Sequence, residues 1–220
     1  MIIDYGSGNV RSVAKACERV MQDYAIKGQV SLCREAKKLA QASHVILPGV
    51  GAFADCMQGL GGLEGEHVAA LTRHKEQGKA FLGICVGMQL LATRGIEFGE
   101  HKGLGWLQGE VCPFDVDDSL KIPHMGWNTL SWTATQAQAH PIHPIAEDIA
   151  DKKDEEADVY FVHSYHFCCT RSEEVLAHST YGRPFPAVMA RDNVVGTQFH
   201  PEKSQQVGLR LLRNFIRWRV

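Results

Sequence analysis

Gly83-Ile84-Cys85-Val86-Gly87 sets a cysteine between two glycines. The apolar run Lys79-Ala80-Phe81-Leu82-Gly83-Ile84 leads in as a buried strand, and Met88-Gln89-Leu90-Leu91-Ala92 leads out as the start of a helix. A sharp strand-to-helix turn forces its central residue into a strained backbone, and the glycines leave room where side chains would clash. The sulfur of Cys85 then projects at a helix N-terminus, where free N–H groups favour a thiolate. That is the chemistry of a nucleophile that attacks a carbonyl carbon.

Such a nucleophile needs a base, and the base needs an orienter. Gly196-Thr197-Gln198-Phe199-His200-Pro201-Glu202 supplies both. His200 lies just past a strand, and an extended backbone around Pro201 would put His200 and Glu202 on one side. The carboxylate then holds Nδ1–H and leaves Nε2 facing sulfur. A developing oxyanion needs N–H donors. Leu47-Pro48-Gly49-Val50-Gly51 follows another strand, and its glycines let peptide N–H groups turn. Val86 N–H, directly after the nucleophile, is the natural second donor.

The elements that must position these groups alternate in the first half. Strands are expected at Met1–Tyr5, Gln29–Cys33, Val45–Leu47 and Lys79–Ile84. Between them stand a helix opened by Asn9, a short helix over Arg34–Gln41 and a helix over Gly65–Gln77. Val10, Val13, Ala14, Cys17, Val20 and Met21 give the first helix one apolar face. The second half reads as short strands: Gly109–Phe114, Val159–His163, Phe167–Arg171, Val175–Tyr181, Ala187–Arg191 and Val194–Phe199, with Asp192-Asn193 as a hairpin turn. A last helix from about Ser204 buries Val207, Leu211, Phe215 and Trp218 and exposes Arg210, Arg213 and Arg217. The expected fold class is α/β: a mostly parallel central sheet, extended by antiparallel hairpins, with helices on both faces. Thr133–Asp158, rich in Gln, Ala, Pro and charge, is expected to be an exposed, mobile loop.

The 220 residues suit a single domain. A net charge of −2 gives no electrostatic support for nucleic-acid binding. No apolar run is long enough to span a membrane, and the start lacks the pattern of a secretory signal. Seven scattered cysteines without a Cys-x-x-Cys pair argue against a zinc site and for reduced thiols in the cytoplasm.

Gly83-Ile84-Cys85-Val86-Gly87-Met88-Gln89 and Phe199-His200-Pro201-Glu202-Lys203-Ser204 resemble the paired hallmark motifs of class I, triad-type glutamine amidotransferases. Further segments narrow the resemblance: Asp4-Tyr5-Gly6-Ser7-Gly8-Asn9, Leu47 to Phe53, Ile122-Pro123-His124-Met125-Gly126-Trp127-Asn128 and Tyr160-Phe161-Val162-His163-Ser164-Tyr165. Together they resemble the glutaminase subunits of imidazole glycerol phosphate synthase, over nearly the whole chain. The chain departs in a start close to the end of its first strand, and in a long, polar Thr133–Asp158.

The resemblance implies a flavodoxin-like fold and hydrolysis of glutamine to glutamate and ammonia by Cys85, His200 and Glu202. It implies oxyanion and glutamine-binding roles for Gly49, Val50, Gly51, Val86, Gln89, His163, Ser164 and Tyr165. Asn9 and Lys203 would gate an interface, and Pro123, His124, Met125, Trp127 and Tyr160 would meet the partner. That partner is a (β/α)₈-barrel cyclase which takes the ammonia. The family works without metal or cofactor, and its members are poor glutaminases until the cyclase binds its ligand. The residues leave two other assignments open: a glutaminase subunit of another synthase, and a non-catalytic subunit that keeps the fold.

Overall fold

Uninterrupted apolar runs become the strands that deliver the site. The computed structural model of the chain describes residues 1–117, 119–133, 143–150 and 157–220. Strand β1 (Ile2–Ile3) leads to helix α1 (Val10–Asp23), and β2 (Leu32–Cys33) to a 3₁₀ segment (Ala36–Gln41). Strand β3 (His44–Gly49) leads to helices α2 (Phe53–Gly59) and α3 (Glu66–Glu76). Strand β4 (Ala80–Cys85) runs straight into α4 (Val86–Gln89). All six residues of β4 are buried, as expected of a strand covered on both faces.

The second half holds β5 (Arg94–Gly95), β6 (His101–Lys102), β7 (Gly109–Pro113), β8 (His124–Thr129) and β9 (Ser131–Trp132). It continues with β10 (Asp158–His163), β11 (Tyr165–Cys169), β12 (Val175–Tyr181), β13 (Arg183–Arg191), β14 (Val194–Thr197) and α5 (Gln205–Arg217). One eight-stranded sheet takes the order β2-β1-β3-β4-β14-β13-β12-β9. Its members from β2 to β14 are parallel, and β13, β12 and β9 add antiparallel pairs. Gly49 pairs with Cys85 and Thr197 with Ile84, so three strands end side by side at the nucleophile.

The mixed α/β class agrees with expectation, but several details do not. The strand expected over Gln29–Cys33 is only two residues long, and the helix over Arg34–Gln41 is a 3₁₀ segment. Not every later hairpin extends the main sheet. β8 pairs with β10 in a two-stranded ribbon, and β7 pairs with β11 in a four-stranded sheet. Asn9 stands at the N-cap of α1, yet its side chain makes no capping bond. Arg213 is not a solvated residue, because it pairs with Asp148 at 2.7 Å and keeps only 11% of its side chain exposed.

The loop expected over Thr133–Asp158 falls largely at 134–142 and 151–156, outside the described residues. Its described part is exposed only at Pro144, Glu147 and Asp148 and is otherwise anchored in the core. Pro144–Ala146 is a 3₁₀ turn, Ile145 and Ala146 are fully buried, and Asn214 Nδ2 donates to the Ile145 and Glu147 carbonyls. No helix among the described residues is long and apolar enough to cross a membrane. Among them the seven cysteines are all free thiols.

Candidate active site

Cys85 has φ 55° and ψ −114°, a conformation that costs about 1–3 kcal/mol for a non-glycine residue. The surroundings impose it. A Cβ at Gly83 would strike the backbone of Gly87 and Met88, and one at Gly87 would collide with the Leu47 carbonyl. The helix that follows is shorter than expected. α4 is a single turn, so it carries little of the ~0.3–1 kcal/mol a helix N-terminus offers an anion. Stabilisation of negative charge at sulfur therefore falls to nearer groups. Gln198 Nε2 stands 3.9 Å from Cys85 Sγ and can donate to it, whereas the Val162 carbonyl, equally far, can only accept from a thiol.

His200 is 2% exposed and the Glu202 side chain 1%. His200 Nδ1 donates to Glu202 Oε1 over 2.9 Å. The backbone that arranges this is not extended as expected. His200 is extended, but Pro201–Lys203 forms a 3₁₀ turn that swings the carboxylate back under the ring. His200 Nε2 is buried with no hydrogen-bond partner among the described residues. Burial pushes the imidazole down, yet Cys85 and Glu202 together outweigh it and raise it from 6.5 to about 10. Both neighbours thus favour the protonated imidazole against the pull of burial.

A cavity of about 290 Å³, in the size class of small-metabolite sites, opens at this point. It is lined by Val50, Gly51, Cys85, Val86, Gln89, Glu97, Pro123, Val162, His163, Ser164, Tyr165 and His200. The oxyanion and glutamine positions expected from sequence thus line one space, with Gly49 beside them in register with Cys85. Both His163 ring nitrogens are already taken, by His124 Nδ1 at 3.0 Å and by the Tyr165 carbonyl at 2.9 Å.

The Val50 N–H does not face the nucleophile. It donates to Ser7 Oγ at 3.3 Å, while that hydroxyl donates to the Val50 carbonyl at 2.6 Å. Ser7 is not among the cavity-lining residues, so the segment expected to supply oxyanion donors points one of them away from the site.

The expected interface residues divide. Met125 and Trp127 are 62% and 49% exposed, and Trp127 meets the half-buried Tyr160 edge-on at 6.0 Å. Lys203 Nζ lies 5.5 Å from the centre of the Tyr160 ring. Pro123 is exposed and also lines the cavity. His124 departs from expectation. It is 3% exposed, so its side chain has no surface to offer a partner. Asn9 opens α1 and does not line the cavity.

Glu97 and Gln198 were not foreseen. Glu97 lines the cavity, and its Oε2 accepts the Phe53 N–H at 2.7 Å, capping α2 from 44 residues away. Nothing near α2 in sequence signals that cap. Gln198 is fully buried and accepts from Gln89 Nε2 at 3.1 Å. An amide inside the apolar run Val194–Phe199 was the available clue.

A strained cysteine, a carboxylate-held imidazole and a cleft with backbone donors on adjacent strand ends are the layout of an acyl-transfer hydrolase. Residues 1–218 match the glutamine amidotransferase class-I family, and the chain belongs to it. Within that family it is 48% identical over 218 residues to imidazole glycerol phosphate synthase subunit HisH of Rhodospirillum rubrum, covering 99% of this chain and 97% of that protein. The subunit HisH of Rhizobium meliloti is 46% identical over 219 residues, covering 99% and 98%.

Two solved structures share the fold at low identity. PurLQS from Thermotoga maritima has a TM-score of 0.70 at 20% identity, covering 97% of this chain and 95% of that one. The glutaminase domain of Trypanosoma brucei CTPS with bound acivicin has a TM-score of 0.62 at 13% identity, covering 97% and 92%.

Proposed function

We propose that the chain acts in the cytoplasm as one amidotransferase domain, the glutaminase subunit of an imidazole glycerol phosphate synthase in histidine biosynthesis. Cys85 sulfur attacks the side-chain amide carbon of glutamine. The His200 imidazolium gives its proton to the departing ammonia, then takes one from the water that opens the thioester to glutamate. Glu202 keeps the ring in place throughout. The observation that carries this is Cys85 in its strained elbow beside an imidazole whose Nδ1 is locked on Glu202 and whose Nε2 is free. Identity of 46–48% with the HisH subunits favours this synthase over other amidotransferase partners.

The cavity suits an amino acid. Glu97 keeps one oxygen beyond its bond to Phe53 and would accept the α-ammonium of glutamine, and Gln89, Ser164 and Tyr165 would hold the rest. Glu97→Gln keeps the shape and removes the charge. Losing a charged hydrogen bond of ~1.5–3 kcal/mol should raise the glutamine KM about 10- to 100-fold, with kcat changed much less. Steady-state kinetics at saturating partner would check this.

Val86 N–H stabilises the oxyanion, and Val50 N–H joins it only after the Gly49–Val50 peptide turns. Because Ser7 holds that peptide from behind, Ser7→Ala should raise glutamate release by the isolated chain about five- to hundredfold, the worth of the two hydrogen bonds it makes to Val50. The stimulation by the partner should shrink to match. Gly49→Ala would be a poorer probe, since its Cβ would come within 2.7 Å of the Gly87 nitrogen and disturb the elbow itself.

Met125, Trp127, Tyr160 and Lys203, with Pro123 at the cavity rim, would form the docking face for a (β/α)₈-barrel cyclase, giving a heterodimer. Asn9 belongs with Lys203 at the gate through which ammonia leaves. The test is substrate choice. A cyclase subunit that turns over with free ammonia should accept glutamine once this chain is added. A mixture that still needs added ammonia would refute the assignment.

A further inference from the structure

Two buried histidines lie between the β8 face and the cavity. His124 and His163 stand opposite each other in the β8–β10 ribbon and are 3% and 6% exposed. The Tyr165 carbonyl can only accept, so the proton of His163 is on Nδ1, 2.9 Å away. At the other end, Asn128 Oδ1 accepts the Thr129 N–H at 2.9 Å, which fixes the orientation of the amide. Asn128 Nδ2 then donates to the Thr180 carbonyl at 2.8 Å and to His124 Nε2 at 3.2 Å. His124 therefore carries its proton on Nδ1 and gives it to His163 Nε2 at 3.0 Å.

The two ends independently demand the same order. Both rings are neutral, both are Nδ1–H tautomers, and all four ring nitrogens are used. Burial supports the neutral forms, pushing His124 down to about 4 and His163 to about 3. The series ends on a carbonyl that Gln89 Nε2 also holds, at 2.9 Å, from the cavity side. Tyr165 is thus gripped from both sides, and the grip reaches back to the strand that carries Met125 and Trp127.

We propose that His124 and His163 are positioning residues, a one-way hydrogen-bonded pair that sets the Ser164–Tyr165 wall of the glutamine site and ties it to β8. This rests on the glutaminase function above. The competing account is packing alone, since His124 stacks on Tyr181 at 4.2 Å and on Phe161 at 4.9 Å. Two substitutions separate them. His124→Phe keeps the ring and loses the donor. His124→Asn loses the ring and keeps a donor near the Nδ1 position.

The experiment follows labelling of Cys85 in the full chain by a glutamine chloroketone, resolving half-saturating concentration from maximal rate. Chloroacetamide, which lacks the amino-acid head, serves as comparator. His124→Phe should raise the half-saturating concentration about tenfold and leave the chloroacetamide rate alone, while His124→Asn returns it to within about threefold. An unchanged half-saturating concentration in His124→Phe, or an equal fall in its chloroacetamide rate, overturns the proposal. Nitrogen-15 NMR of the unmutated chain should show two neutral Nδ1–H rings at pH 7, and an Nε2–H or charged ring at either position overturns it as well. Labelling of the unmutated chain that never saturates, while chloroacetamide still reacts, overturns the glutamine site itself and the proposal with it.

Discussion

Replacing Cys85 by alanine will lower glutamate release from glutamine by ~10⁴–10⁶-fold, the usual cost of deleting a catalytic nucleophile. No other thiol can take over. Cys56, also buried, has its sulfur within 3.4 Å of Ser7 Oγ and of the Val50 carbonyl, behind the oxyanion strand, and it does not line the cavity. The change removes one atom and needs no repacking, so the melting temperature should stay within a few degrees. The proposed docking face should be untouched, because Met125, Trp127 and Lys203 lie on other elements. The decisive comparison is therefore within one complex. With Cys85→Ala the synthase should fail with glutamine and still run on added ammonia. Loss of both reactions would mean that the substitution damaged assembly, and retention of both would move the nucleophile elsewhere.

His200→Asn should cost about 10²–10⁴-fold in kcat/KM, the range that general acid–base catalysis supplies. Asparagine is preferred to alanine because its amide can still donate to Glu202, whose carboxylate would otherwise be buried without its partner. The same variant carries a stability signature. His200 is raised from 6.5 to about 10, so the folded chain binds the proton more tightly than the unfolded chain does. Its contribution is fully present below pH 6.5 and is lost as pH rises through the folded value. Between pH 7 and pH 10 the unmutated chain should therefore lose more melting temperature than His200→Asn. Parallel curves would mean that the imidazole is not held protonated by Cys85 and Glu202.

What could be read without coordinates depended on whether the signal was local. The elbow was legible because glycines at 83 and 87 answer to steric contacts that the structure displays, with the backbone of Gly87 and Leu47 in the way. Strands β3 and β4 were legible as apolar runs, whereas the strands expected over Met1–Tyr5 and Gln29–Cys33 are only two residues long, at Ile2–Ile3 and Leu32–Cys33. Helix α2 was not, because Glu97 caps it from a distant loop. Strands β8 and β9 were missed because partly exposed, Gly- and Trp-containing segments lack a clean alternation. At the site, the spacing of His200 and Glu202 suggested their pairing but not the 3₁₀ turn that achieves it. Ser7 could be quoted within a motif, but its grip on Val50 is a contact between loops 43 residues apart, invisible to any local pattern.

Glutamate release from glutamine by the purified chain, measured alone and then with a cyclase subunit and the cyclase's ligand, tests the central claim most directly. A glutaminase whose Val50 N–H is turned toward Ser7 should be slow alone and rise by roughly 10²–10³-fold in the complex, the worth of one oxyanion donor. A rate that is equal with and without the cyclase, or absent in both, would contradict it.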